Sequence, residues 1–517
     1  YRIPLVFDRA ESINLKLDTS RVSYKFLHDR VQQAAYSLIP ENRKKSTHFN
    51  IGQLLLQNTP IEQLEENIFD IVNQLNFGIE TISQPAEKTQ LAKFNLTAGR
   101  KAKAAAAYEA AVRYLRVAME LLPADCWQSQ YDLTLAIYES TAESEYLNIN
   151  YEDSKKLVDI VLQKAKTLLE KVNAYELQIH SYNGQNRIIE SLKTGLEVLK
   201  LLGISLPQNP NSLNIMAGMI NTKLSLGLKR IDDLANLPEM TDPNQKAAMR
   251  ILSGIFSTAI QAKPRLVPLL AFMMVKLCIK YGNSPYASIA YAYYGVVMCR
   301  LGDISLGYEF GELAIRLLDK FPSRSIKSRV YAIFGSFIQH WKTDIKSALG
   351  YLMEAFQTGM ETGELAYASY SINLYCTCKL WMGEPLDLVE EETGKYLKLM
   401  QQSQLEMAVQ YISIERQTAL NLSGKTVEPC HLVGESFNEL KTLPALMEAK
   451  SFVLVCLVYN AKAMLNFLFR NYAQALENSR LFEQYEEAVA GLYIVSVSKL
   501  YYSLSLLALY PQADKEE

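Results

Sequence analysis

The chain has 517 residues, 49% of them hydrophobic, which is ample for a large core. Its formal net charge is −2, with 53 Lys and Arg against 55 Asp and Glu, and that balance argues against a nucleic-acid-binding footprint, which needs a clustered excess of cations. The seven cysteines, odd in number and scattered from Cys126 to Cys456, read as buried reduced thiols of a cytosolic protein and not as a disulfide framework.

The first residues contain Arg2 and Asp8 and lack the long apolar stretch of a secretion signal. The chain begins without Met and is expected to be an excerpt of a longer polypeptide. Residues 1 to 26 are the only part that reads as β, through Leu5-Val6-Phe7 and Val22-Ser23-Tyr24-Lys25-Phe26. From Leu27 the pattern turns helical: His28 to Ile39 ends at Pro40, and Glu41 to Leu56 ends before Thr59-Pro60. A small β-hairpin against helices is the shape of a winged-helix module.

After Pro60 the chain reads as helical nearly to its end. Uncharged runs such as Tyr286 to Cys299 fall short of the roughly 20 residues that span a bilayer, so no membrane span is expected. The stretch from Ser284 to Pro322 is the template for the rest. Ser284 before Pro285 reads as a helix start, Gly302 as a left-handed helix end, and Asp303 as the cap of the next helix. Gly295 facing Gly311, with Gly307 and Ala314 in the second helix, lets two antiparallel helices approach closely. The hairpin, of about 38 residues, has the size of one tetratricopeptide-type unit. Matching turns fall at Asn148, Gly184, Gly227, Lys263, Gly302, Lys342, Gly383, Gly424 and Arg470. The rhythm is broken by Leu206-Pro207-Gln208-Asn209-Pro210 and Leu237-Pro238. The expected fold is an all-α, tetratricopeptide-like right-handed superhelix, an α-solenoid, whose repeats add without limit because each packs only on its neighbours.

Two stretches carry a resemblance. The run Tyr24-Lys25-Phe26-Leu27-His28-Asp29-Arg30-Val31-Gln32-Gln33-Ala34-Ala35-Tyr36, followed by Arg43, His48 and Ile51-Gly52, resembles the winged-helix end of a STAND-type ATPase module. More narrowly, it is similar to the large cyanobacterial-type signalling kinases that run from a Ser/Thr kinase through a STAND ATPase and helical repeats to a GAF domain and a histidine kinase. Ala98-Gly99-Arg100-Lys101-Ala102-Lys103 through Ala107-Tyr108-Glu109-Ala110-Ala111 resembles the opening repeat of the same region. The resemblance implies a winged-helix-like end at 1–59 and helical repeats at 60–517. It also implies that His28, within Leu27-His28-Asp29, would sense the ADP phosphate in the full-length protein. No G-x-x-x-x-G-K-[ST] loop occurs in the chain, so His28 has no nucleotide to read here and no cofactor is expected.

The same residues hold no catalytic constellation. The five histidines, His28, His48, His180, His340 and His431, form no H-E-x-x-H, and none has a Cys at zinc-ligand spacing. Cys376 and Cys378, two apart on a helix, point in different directions and cannot share a metal. No G-x-S-x-G elbow and no H-R-D or D-F-G set is present. Glu390-Glu391-Glu392 reads as a solvated helix face, and Arg100, Lys101 and Lys103 as snorkelling cations on a strong helix. The tyrosines crowded at Tyr286, Tyr291, Tyr293, Tyr294 and Tyr308 read as core packing between helices. The chain is therefore expected to be non-catalytic.

In tetratricopeptide folds the first helix of each hairpin lines a concave groove. Carrying that pattern onto the turn positions places Ala292, Val296 and Arg300 in the groove, then Arg329, Ser336, Gln339 and His340. Tyr370, Asn373, Thr377 and Trp381 follow, and finally Tyr411, Thr418 and Asn421. Arg, Tyr and Trp are residue types that anchor interfaces. The expected role is a cytoplasmic regulatory or protein-recognition segment of a multidomain kinase. Its expected partner is another protein or other domains of the same kinase. A small-ligand sensor and an oligomerisation scaffold are the alternatives.

Overall fold

The computed structural model describes residues 33–34, 36–185 and 187–512. The β-like residues 1 to 26 and the Leu27-His28-Asp29 motif lie outside them. Among the described residues there is no β-strand, only two isolated bridges, Glu239 with Asn283 and Val433 with Asn438. The helices form two compact units that divide between Lys164 and Ala165. The boundary at residue 59 read from the sequence falls inside the first unit.

The first unit runs α1 (Glu41–Asn58), α2 (Ile68–Phe77), α3 (Pro85–Ala104), α4 (Tyr108–Glu120), α5 (Tyr131–Leu147) and α6 (Tyr151–Lys164), packed as successive pairs. Helix α4 shows why. Its Ala111, Val112, Leu115 and Ala118 recur at three- and four-residue steps and are buried, which turns one apolar stripe toward α3 and leaves Arg113 and Arg116 outside. Two residues of the N-terminal resemblance meet here, since His48 lies 3.0 Å from the Tyr36 hydroxyl and 2.5 Å from Gln74 Oε1. The basic run, read from the sequence as snorkelling cations, is instead engaged within the protein: Arg100 donates to Ser140 Oγ, Lys101 to the Glu65 and Glu66 carbonyls, and Lys103 pairs with Glu143.

The second unit opens with α7 (Leu168–Gly184), α8 (Ile188–Leu201), α9 (Ser212–Leu226), α10 (Pro243–Gly254), α11 (Phe256–Ala262) and α12 (Val267–Tyr281). Regular hairpins follow: α13 (Ala287–Arg300) with α14 (Ile304–Lys320), α15 (Arg324–Phe337) with α16 (Ala348–Thr362), and α17 (Leu365–Trp381) with α18 (Leu386–Gln402). The unit ends in α19 (Glu406–Leu422), α20 (Glu439–Glu448), α21 (Phe452–Leu468), α22 (Tyr472–Tyr485) and α23 (Tyr493–Leu509). Each odd-numbered helix from α13 to α23 also packs on the next odd one, so these six form one continuous inner row. The fold is an all-α, tetratricopeptide-like solenoid of hairpins.

The turns fall where the sequence places them. Gly302, Gly383 and Gly424 take φ of +90°, +75° and +70°, and where no glycine stands, Ile149 and Arg470 occupy the left-handed region instead. Asp303 accepts from the Leu306 N–H as the cap of α14. One start differs. Helix α13 begins at Ala287 with no side-chain cap, and Ser284 only closes a turn, its carbonyl accepting from the Ala287 N–H at 2.8 Å. The cause is Asn283, whose backbone bonds to Pro238 and Met240 hold the chain out of the helix for three more residues.

The close approach of α13 and α14 is as tight as the glycine pattern requires. A Cβ on Gly295 would stand 2.6 Å from the Gly307 carbonyl oxygen and 3.3 Å from Gly311 N. Backbone cannot retreat as a side chain can, so Gly295→Val should cost about 3 kcal/mol, the upper end for overpacked cores. Gly350→Ala, in open space within α16, should instead stabilise by roughly 0.5–1 kcal/mol. Urea midpoints of the two variants, moving in opposite directions, check this.

Candidate functional site

The groove positions inferred from the sequence fall on the inner row or, for Gln339 and His340, on the single 3-10 turn that follows α15, yet few of them face solvent. Arg300 is exposed, at the end of α13. Gln339, Asn373, Tyr411 and Asn421 are buried, while Arg329, His340, Tyr370 and Trp381 are only partly accessible. The row curves tightly enough for the chain to meet itself. The Tyr493 ring at the start of α23 lies 6.0 Å from the His340 ring, and the Tyr501 ring lies 6.2 Å from Trp381. A Cβ on Gly491 would stand 3.5 Å from Phe337 Cδ1 and 3.7 Å from Arg300 Cγ.

Three groups of residues result. The first is an ionic layer around Arg329. Its guanidinium donates to Glu364 Oε1 at 2.6 Å and to Ser253 Oγ at 3.3 Å, and it lies over the Tyr367 ring. The Tyr367 hydroxyl is 3.1 Å from that of Tyr293, which stacks on Phe256. Arg250 pairs with Glu176 and with Asn173 nearby on α7. Burial acts to lower the Arg329 pKa, but the Glu364 carboxylate, by charge and hydrogen bond, opposes it, and the guanidinium holds its charge more firmly than in water. Burial also lowers His180 and raises Tyr293 and Tyr367, so in this layer the imidazole and phenols are neutral at neutral pH. The layer joins α7, α10, α13, α15 and α17 and has the character of a register lock.

The second group lies between α17 and α19. Glu415 is 3% exposed, and its Oε1 sits 2.9 Å from Thr377 Oγ1, which is also 3.0 Å from the Asn373 carbonyl. Burial pushes its carboxyl up to about 7, against the pull of the Thr377 hydrogen bond. On the same helix, Gln417 accepts from the Ser436 and Phe437 N–H groups, and Asn421 donates to the carbonyls of Pro429 and His431. Those two amides pin the insertion that links α19 to α20. Spacing alone could not reveal this, because the partners lie in an irregular loop.

The third group lines a cleft of about 640 Å³ formed by His340, Thr343, Asp344, Lys346, Glu384, Tyr493 and their neighbours. Burial depresses the His340 imidazole to about 4. Its Nε2, together with Gln339 Oε1, Asn373 Oδ1 and Trp381 Nε1, is buried with no hydrogen-bond partner among the described residues.

The remaining sequence expectations sort cleanly. Tyr291 and Tyr294 are fully buried in the core, as packing required. Cys376 and Cys378 are buried, with thiols raised by burial. The glutamate run is not a simple solvated face: Glu390 pairs with Lys425 and Arg416, and Glu392 with Lys379. Among the described residues no group of His, Cys, Asp or Glu could hold a metal ion, and no helix is long and apolar enough to cross a membrane. His28 lies outside the described residues.

No protein-family model matches the chain. It is 25% identical over 456 residues to hybrid signal transduction histidine kinase G of Dictyostelium discoideum, a match that covers 80% of this chain and 13% of that protein. Among solved structures, a STAND protein with a tetratricopeptide repeat sensor from Pyrococcus horikoshii is 12% identical at a TM-score of 0.39, covering 84% of this chain and 68% of that one. The Naa15/Naa10 structure bound to HypK-THB is 10% identical at a TM-score of 0.18, covering 91% and 98%. Neither structural similarity is close enough to bear on function. What the comparisons give is a relationship in sequence, over most of this chain, to a small part of a signal transduction kinase.

Proposed function

We propose that this chain is a non-catalytic regulatory segment of a multidomain signal transduction kinase, relaying the binding of a protein or of a neighbouring domain to catalytic parts elsewhere in the polypeptide. The observation that carries this reading is the 456-residue similarity to a hybrid histidine kinase of which the match occupies only 13%. The recognition surface would be the cleft where the ends of α15 and α17 meet the start of α23, with Arg300, His340, Trp381 and Tyr493 on its rim. Gln339, next to His340, would steady one side of it, while Arg329, Tyr370, Asn373, Tyr411 and Asn421 would act on the relay through the packing of the inner row. The winged-helix-like end at 1–59 and a nucleotide-sensing His28 belong to the same proposal. The experiment is autophosphorylation of the longer kinase carrying Arg300→Glu with Tyr493→Ala. Basal or stimulated activity should shift by about fivefold or more, the usual scale of coupling between sites, with nucleotide affinity of the kinase domain unchanged. Activity and its response identical to wild type would remove the cleft from the relay.

The unpartnered buried atoms of Gln339, His340, Asn373 and Trp381 favour a second reading, a polar small molecule held inside the inner row. Such atoms are costly when left unsatisfied, and a ligand with both donors and acceptors would satisfy them.

A further inference from the structure

Helix α9 is apolar on two opposite faces. Ile215, Met219 and Leu226 pack into the core of the second unit, with Gly218 set against Leu269 and Phe272 of α12. On the other side Leu213, Met216, Ile220 and Leu224 recur at three- and four-residue steps, are 49–75% exposed, and are followed by the fully exposed Leu228. A surface helix normally turns charge to water on that side, and a continuous exposed apolar stripe marks an interaction surface. The polar side chains along it are Ser212, Asn214, Asn221, Lys223 and Ser225, with no acid among them.

Charge identifies the occupant. Between Glu197 and Asp232 the sequence has no Asp or Glu, while Lys200, Lys223, Lys229 and Arg230 are exposed within it. Lys263 adds a further cation against the preceding loop, donating to the Gln208 carbonyl. The first acids beyond the stretch are compensated, Asp232 by Arg316 and Asp233 by Arg230. A second copy of α9 would bring the same lysine and no acid to meet it, the exposed acids Glu309 and Glu312 lying beyond Lys229 and Arg230. The stripe also lacks the Trp, Tyr and Arg anchors of protein interfaces. Long aliphatic and Met side chains on a helix that carries Lys223 and no acid are what an in-plane helix offers to an anionic lipid surface.

We propose that the outer face of α9 lies in the surface of an anionic membrane, with Leu213, Met216, Ile220, Leu224 and Leu228 entering the acyl boundary and Lys223 and Lys229 meeting lipid phosphates. The inference stands on α9 alone and is independent of the relay proposed above. The test is co-sedimentation of the full chain with phosphatidylcholine vesicles, with and without about 30 mol% phosphatidylserine. The chain should bind the anionic vesicles at least tenfold more tightly than the neutral ones and be released by raising salt from about 0.1 to about 0.5 M. Met216→Gln with Ile220→Gln and Leu224→Gln, which touches no core contact and should leave helicity and melting unchanged, should abolish binding. Lys223→Glu with Lys229→Glu should weaken it more than tenfold, at about fivefold for each cation lost. Wild-type chain left in the supernatant, or a triple Gln variant that binds as wild type, would overturn the proposal. So would a dimer in sedimentation velocity that depends on the same three residues without vesicle binding, because the stripe would then be a self-contact.

Discussion

Replacing Arg329 with Ala is expected to lower the stability of the second unit by about 3 kcal/mol, the lower end of the range for breaking a buried ion pair by removing one partner. The low end is chosen because the two side chains keep 14% and 19% of their exposure. Removing the guanidinium strands Glu364, leaves Ser253 Oγ without its donor and withdraws the cation from the Tyr367 face. Arg329→Lys should recover only part, because a single ammonium cannot reach both Glu364 and Ser253 in the geometry of the planar fork. Arg329→Met with Glu364→Gln should recover more than the lysine does, since an uncharged pair has no stranded carboxylate. Urea unfolding followed by helix ellipticity ranks the three. An Ala variant within about 1 kcal/mol of wild type would mean that apolar packing alone sets the register of α15 on α17.

That layer also shows where the sequence stops being informative. The hairpins were legible because their signals are local. Glycines at positive φ, a capping Asp and small residues at a helix crossing all act within one repeat, and Gly295, Gly302 and Asp303 sit in the structure as their chemistry requires. Helical periodicity assigns a face to each residue but not the radius of curvature of the row. That radius depends on side-chain volumes at every crossing. It decides whether a groove position faces water, as Arg300 does, or is buried, as Gln339, Asn373 and Asn421 are. The meeting of Tyr493 with His340 and of Tyr501 with Trp381 depends on the same sum, so no motif announces it. Irregular segments hid the rest. The loop pinned by Gln417 and Asn421, and the backbone bridge at Asn283 that delays α13, have partners that no repeat pattern specifies. The exposed stripe of α9 is a different case. Its residues are plain in the sequence, but a helix with two apolar faces does not say which of them is covered until its neighbours are known.

The pH dependence of stability is expected to carry two opposed contributions from the inner row. Glu415 has a carboxyl raised from 4.5 to about 7. Protonated, it can donate to Thr377 Oγ1 while the Thr377 hydroxyl donates to the Asn373 carbonyl, so each oxygen is satisfied; ionised, it competes for that one hydroxyl. Because the folded value lies above the unfolded one, its stabilisation is complete below pH 4.5 and is lost as pH rises to about 7, at roughly 1.4 kcal/mol per pH unit. The sum is about 3 kcal/mol. His340 has the opposite sense. Burial lowers it from 6.5 to about 4, so the native state is favoured above pH 6.5 and loses a similar amount, again about 3 kcal/mol, as pH falls toward 4. Between pH 4.5 and 6.5 the two slopes cancel, which conceals both in the parent protein. Glu415→Gln should uncover the histidine slope, with stability rising from pH 5 to 6.5 and exceeding the parent at pH 8. His340→Phe, beside Trp341 and Tyr493, should uncover the carboxyl slope, with stability falling over the same interval. Urea unfolding of the parent and both variants at pH 5, 6, 7 and 8 separates the two. Parallel profiles for the parent and Glu415→Gln would show that Glu415 is ionised in the folded chain and that Thr377 alone satisfies it.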